Sequence, residues 1–227
     1  MASQGRFYRI CRHIVRLRFR KFRSMSEAEV SGAVIYICRH RNAIGPVSSL
    51  CLLPLGVRPW AFSAFTDSQA CRDHLSNYTF PVTWKIPAHL SRLLGTIFGS
   101  VFAALVRSTG AIPVYRNSLK VRETFQKTIE ALENGDRILI FPDINYAAED
   151  GDTGALYEGF LLLERLWSRK TGDHIQFVPI NVSISQKTLT TGKAIAFTGA
   201  MPYAEEKDII VSQLENALNG MAREYGA

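Results

Sequence analysis

His40 stands where the apolar run Ala33-Val34-Ile35-Tyr36-Ile37 breaks into a turn built on Asn42, Gly45 and Pro46. An imidazole at the end of a buried strand is a familiar way to build a site, and an ordinary loop histidine is the alternative reading of this stretch alone. Two other chemically capable side chains also follow apolar runs. Arg116 follows Gly110-Ala-Ile-Pro-Val-Tyr, and Asp143 follows Arg137-Ile-Leu-Ile-Phe-Pro. A guanidinium fork matches the geometry of a phosphate, and a carboxylate can orient an imidazole. Cys38 would share the face of His40 on a strand. It reads either as a thiol nucleophile or, more simply, as a buried inert cysteine.

The elements that must position these residues alternate. Ala33–Ile37, Arg58–Phe65, 110–116, 137–142, 177–184 and 193–197 read as strands. Helices are expected over 47–55, 88–106, 121–134, 155–169 and 209–225, several of them closed by a glycine such as Gly56 or Gly135. Strands alternating with helices imply an α/β fold with a mainly parallel or mixed central sheet flanked by helices. Ligands of such sheets lie outside the carboxyl ends of the strands, which collects His40, Arg116 and Asp143 at one edge. Residues 67–87 resist assignment, with Pro81 and Pro87 breaking any long helix. Gly95 and Gly99 in the 88–106 helix would let another chain or a hydrocarbon tail approach its backbone.

With 227 residues, 47% of them hydrophobic and 21% charged, the chain fits one large domain spanning 1–227. The net charge of +7 is concentrated at one end: Arg6, Arg9, Arg12, Arg16, Arg18, Arg20, Lys21 and Arg23 precede the first acid, Glu27. Phe7, Ile10, Cys11, Ile14 and Val15 form an apolar stripe among them at helical spacing. Residues 1–24 are therefore a basic amphipathic segment, with Arg16–Arg23 readable as helix or strand. The segment suits an anionic membrane surface; a solvated helix covering a core edge is the alternative. No recognised motif or stacking platform accompanies the charge, so nucleic acid is not an expected partner. The four cysteines have neither CxxC nor metal-ligand spacing, so no metal is expected and a reducing, cytoplasmic compartment is the default. Residues 1–24 lack the apolar run of a signal peptide, and the charge-free stretch Leu93–Val106 is short for a membrane span.

Four blocks, covering roughly residues 32–200, carry a family resemblance. The chain resembles the glycerolipid acyltransferases typified by bacterial lysophosphatidate acyltransferase. The family's His-x4-Asp block corresponds to His40-Arg-Asn-Ala-Ile-Gly45, and its Gly-x-Ile-x-Val-x-Arg strand to Gly110-Ala-Ile-Pro-Val-Tyr-Arg116. Its Phe-Pro-Glu-Gly-Thr-Arg block corresponds to Phe141-Pro-Asp-Ile-Asn-Tyr146, and its Val-Pro strand to Val178-Pro179-Ile180. Tyr157-Glu158-Gly159-Phe160 supplies the glycine before a following apolar run. The resemblance implies the α/β fold, with His40 as general base, Arg116 as phosphate contact, and Asp143, Asn145, Tyr146, Arg41 and Asn42 around the substrate.

Two departures stand out. Gly45 replaces the acid that would orient His40, and Tyr146 stands near the place of a second phosphate-binding arginine. Asp67, Asp73 and Asp143 are candidate replacements for the missing acid; Asp143 is preferred because it follows a strand at the same edge. The expected activity is transfer of a fatty acyl group from an acyl thioester, on acyl-carrier protein or coenzyme A, to a hydroxyl or amine of a non-standard lysolipid-like acceptor. The thioester is a co-substrate, and no other cofactor is expected. An amine, the stronger nucleophile, suits the weakened dyad. The 88–106 helix would form part of the acyl pocket, and the protein would sit peripherally on the inner face of the membrane. The alternative is a non-catalytic partner subunit that binds lipid or acyl-carrier protein.

Overall fold

Val34–Cys38 (β2) is buried at every position, as an unbroken apolar run requires of a strand covered on both faces. The computed structural model of the protein describes residues 4–26, 30–41, 44–115, 118–144 and 155–226. Around β2 lie β1 (Arg23–Ser26), β3 (Val57–Phe62), β4 (Ile112–Val114), β5 (Arg137–Ile140), β6 (Gln176–Ser183) and β7 (Thr188–Thr191). They form one sheet in the order β1-β7-β6-β2-β5-β3-β4, so β2 is its middle strand. Every neighbouring pair is parallel except β6 with β7.

The helices are α1 (Arg6–Arg16), α2 (Ile44–Leu52), α3 (Ser68–His74), α4 (Ala88–Ser108), α5 (Val121–Glu133), α6 (Leu162–Thr171) and α7 (Tyr203–Tyr225). Ile35 and Ile37 of β2 join Ile138, Ile140 and Phe177 in a core covered by α5, α6 and α7. Val34, Tyr36 and Cys38 face the other way, toward Leu139, Val178 and Ile180 and the α2 residues Leu50 and Leu52. Strand alternation thus divides β2 between two cores. The fold is the α/β architecture expected from the alternating elements.

Several elements differ in position or kind. Helix α2 starts at Ile44, with Pro46 in its first turn, where a missing N–H removes no intrahelical bond. Residues 67–87, unassignable from sequence, form α3 and a continuous π-helical stretch, Leu75–Thr83, that absorbs Pro81. The strand expected at 193–197 is reduced to one bridge, between Ile195 and Phe177. The seventh strand is instead Thr188–Thr191, whose β-branched threonines favour extended backbone despite their hydroxyls. The helix expected from residue 155 begins later, because Leu156 bridges back to Asp143 and the Tyr157 N–H donates to Pro142 O at 2.8 Å. After α1, Leu17–Phe19 make a short 3-10 turn, and Arg23–Ser26 pair with β7 as β1.

Helix α1 presents an unexpected face to the fold. Tyr8 is buried, and its hydroxyl donates to Leu50 O at 2.7 Å. Arg12 donates to Leu50 O at 3.1 Å and to Leu53 O at 2.6 Å, so a cation covers the carbonyl end of α2. The apolar stripe points outward, leaving Ile10 and Ile14 exposed.

Gly45 fixes the approach of α2 to the end of β2. Its N–H donates to His40 O at 3.0 Å, and a Cβ at this position would run into the carbonyl oxygens of Arg39 and His40. Only a residue without a side chain fits between helix and strand end. Gly45→Asp, which introduces the acid of the His-x4-Asp block, is therefore expected to destabilise the fold by about 1–3 kcal/mol. Denaturant unfolding of the variant against the wild type measures it; an unchanged midpoint would contradict the close packing.

Candidate functional site

The parallel register Ile37↔Ile140 sets the site. His40 lies three residues beyond Ile37 and Asp143 three beyond Ile140, so both arrive together at the carboxyl edge of the sheet. The His40 backbone N–H donates to Asp143 Oδ2 at 2.7 Å. The carboxylate thus anchors the main chain that carries the imidazole. This contact fixes the position of His40 and does not itself set the ring tautomer. The ring of Phe141, next along β5, meets the His40 ring edge-on with centroids 5.4 Å apart. His40 Nδ1 is buried, while the residue as a whole is half-buried.

Asp143 is held from two sides, by the His40 N–H and by the bridge to Leu156. Burial pushes its carboxyl above the ordinary value of 3.8; the His40 N–H and the charges of Arg39 and His40 oppose that rise. The other two candidate acids have local roles on α3. Asp67 caps its first turn, accepting from Ala70 N at 2.8 Å, and Asp73 accepts from Gln69 Nε2 at 3.1 Å. Of the three acids, Asp143 is the one brought to His40.

Arg39 is the residue that sequence reasoning missed. It is only 6% exposed, and its Nε and Nη1 are buried with no hydrogen-bond partner among the described residues. A buried guanidinium with unused donors is costly unless an anion or water reaches it. Its charge acts on Asp143 and favours the ionised carboxylate. The available signal was an arginine placed directly after a wholly buried strand. Arg41, next in the turn, holds a left-handed φ of 42°, a conformation that costs a non-glycine residue on the order of 1 kcal/mol.

Cys38 is a buried thiol held in its protonated form by its surroundings. It is 2% exposed, and burial first, then the nearby Asp143 charge, push its thiol up to about 12. A small cavity of about 10 Å³ is lined by Cys38, Arg39, Arg41, Gly45, Asn181 and their neighbours. That is room for roughly one water molecule. A wider groove of about 460 Å³ lies between Gly159 and Leu162 on one side and Tyr203 and Lys207 on the other, and no strand-end residue lines it. No group of three or more metal-ligating side chains occurs among the described residues. Arg116, Asn42, Asn145 and Tyr146 lie outside the described residues.

In the 88–106 helix the fully buried positions are the small residues Ser91, Gly95, Gly99 and Ala103. Gly95 packs on Ser76 and Gly99 on Arg72 of the chain's own α3 and π-helical stretch, so no tail approaches there. Leu90, Leu93, Ile97, Phe98, Val101 and Phe102 of α4 are exposed, while Leu94 packs against the buried cluster of Cys71, Leu75, Phe80 and Ala103.

No family model matches the chain, and no curated protein matches it. A solved structure does: the 1-acyl-sn-glycerophosphate (LPA) acyltransferase PlsC from Thermotoga maritima, at a TM-score of 0.53 and 13% identity. The match covers 97% of this chain and 80% of that one. At that identity the likeness is one of fold: the seven-stranded sheet and its helices share the architecture of a glycerolipid acyltransferase.

Proposed function

We propose that the protein transfers a fatty acyl group from an acyl thioester to a hydroxyl or amine of a lysolipid-like acceptor. The donor is acyl-carrier protein or coenzyme A. The observation that carries this reading is the placement of His40 against Asp143 at the ends of two adjacent central strands, in a fold shared with a lysophosphatidate acyltransferase. His40 takes the acceptor proton as the oxygen or nitrogen attacks the thioester carbonyl. The tetrahedral intermediate then collapses, the C–S bond breaks, and the leaving thiolate recovers the proton from the imidazolium. Asp143 keeps the base in place through its main chain. Arg39, with its unused buried donors, takes an anionic group of the substrate. Arg41, Asn42, Arg116, Asn145 and Tyr146 complete the acceptor contacts. The protein works peripherally on the inner face of a membrane, with the arginines of residues 6–23 against anionic lipid. Gly45 in place of the orienting acid favours a second reading, a non-catalytic subunit that binds lipid or acyl-carrier protein.

The test is incubation with acyl-coenzyme A and acyl-carrier-protein thioesters against a panel of lysolipids and amino acceptors, read by mass spectrometry. Wild type should yield an acylated product, and His40→Ala at least ~100-fold less. Undiminished turnover in His40→Ala would remove the base from the mechanism. No product with any acceptor would favour the subunit reading.

The Asp143 contact yields a separate stability prediction. Asp143→Ala strands the His40 N–H and should cost about 1–3 kcal/mol, whereas Asp143→Asn keeps an acceptor oxygen and should cost less. The sign with pH follows from the raised carboxyl. The folded state binds this proton more tightly than the unfolded chain, so this group's contribution falls as pH rises from 3.8 through its folded value. Asp143→Asn should remove that part of the slope, measured by denaturation across acidic pH.

A further inference from the structure

Helix α4 carries two stripes of opposite use. Ser91, Gly95, Gly99 and Ala103 recur every fourth residue, and all four are buried. They let the helix pack closely on α3 and the π-helical stretch, around a small cluster of Cys71, Leu75, Phe80 and Ala103 separate from the two sheet cores. The other stripe holds Leu93, Ile97, Phe98, Val101 and Phe102, and Trp84 stands in the turn before the helix. These six side chains are between 40% and 63% exposed. An apolar band of this width is far more than the scattered exposed residues of an ordinary surface.

By length and composition α4 could cross a membrane. Topology forbids it as a lone span: β3 precedes the hairpin, β4 follows it, and the two are hydrogen-bonded neighbours in one sheet. A single crossing would put them on opposite sides of the bilayer. An in-plane seat keeps the buried stripe on α3 and gives the apolar stripe a solvent of its own kind.

Charge names the surface. No Asp or Glu occurs among residues 1–26 or 74–122, while Lys85, His89 and Arg92 flank the exposed stripe. Helix α1 joins α4 directly, Gly5 N donating to Ser108 O at 2.8 Å, and carries its own arginines beside the exposed Ile10 and Ile14. A tryptophan at the tip, cations at the rim and an apolar face between them match the interface of an anionic bilayer.

We infer that the exposed face of the α3–α4 hairpin, with Trp84 at its tip, is seated in the interfacial layer of an anionic phospholipid membrane, with α1 as an electrostatic flank. This rests on the peripheral-membrane part of the proposed function and moves the main seat from residues 6–23 to α4. The apolar contribution comes from the hairpin, and the arginine segment adds salt-sensitive attraction.

The experiment is flotation of the full chain with phosphatidylcholine–phosphatidylglycerol vesicles at low and high salt. Wild type, Ile97→Glu/Val101→Glu and Trp84→Phe are compared. Wild type should float at low salt and keep a residual bound fraction at high salt. The double variant should lose at least ~10-fold in partitioning at both, with an unchanged melting curve. A blue shift of tryptophan emission on adding vesicles should be lost in Trp84→Phe. A floating wild type matched by a floating double variant would overturn the α4 seat while leaving the peripheral reading intact; a wild type that never floats would overturn both. A wild-type dimer that the double variant breaks, with flotation unchanged, would assign the face to a second copy of this chain. Acyl transfer to a detergent-dispersed acceptor should survive the double variant and fail in His40→Ala, which separates the membrane seat from the chemistry.

Discussion

The hydrogen bond from the His40 main chain to the Asp143 carboxylate ties the ends of the two central strands together at the site. It depends on β2 and β5 being parallel and in one register, since a slip of one residue would turn one of the two side chains to the other face. The register is held in turn by the two cores that β2 divides, one under α5, α6 and α7 and the other under α2. The geometry of the site is therefore a property of the sheet, and the turn after β2 inherits it.

Gly45 gives the departure from the family pattern a physical meaning. The position is not an empty place for an acid: helix α2 lies so close to the strand end that the Arg39 and His40 carbonyls occupy the space a side chain would need. The helix, the turn and the histidine are packed as one unit. Asp143 fixes the histidine main chain from β5, and the preceding residue, Arg39, is buried.

Much of this was legible in the sequence. The strands β2 and β5 announce themselves because burial on both faces leaves continuous apolar runs, and the polar residues that end them point to the sheet edge. Their pairing register carries no local signal, so the route by which Asp143 reaches His40, through the main chain, was not readable. Arg39 was hidden for a similar reason: beside a turn it looks like an ordinary solvated cation, and only tertiary packing buries it. Threonines concealed β7, and Pro81 concealed the π-helical stretch, because propensity ranks both as poor candidates and tertiary pairing overrides it. In α4 the periodicity was visible and its sense inverted. An apolar stripe on a helix is ordinarily the buried one, but here small residues are the fully buried ones and a stripe of large ones from Leu93 to Phe102 is exposed.

On the proposed function, an acyl thioester meets its acceptor at the strand ends around His40. The most direct measurement of this is labelling of the full chain with diethyl pyrocarbonate, followed by peptide mass mapping, with and without a non-hydrolysable acyl-thioester analogue. The half-buried His40 should be carbethoxylated in the free protein and protected by the analogue, while the exposed His89 is labelled equally in both. Equal labelling of His40 with and without the analogue would contradict the account.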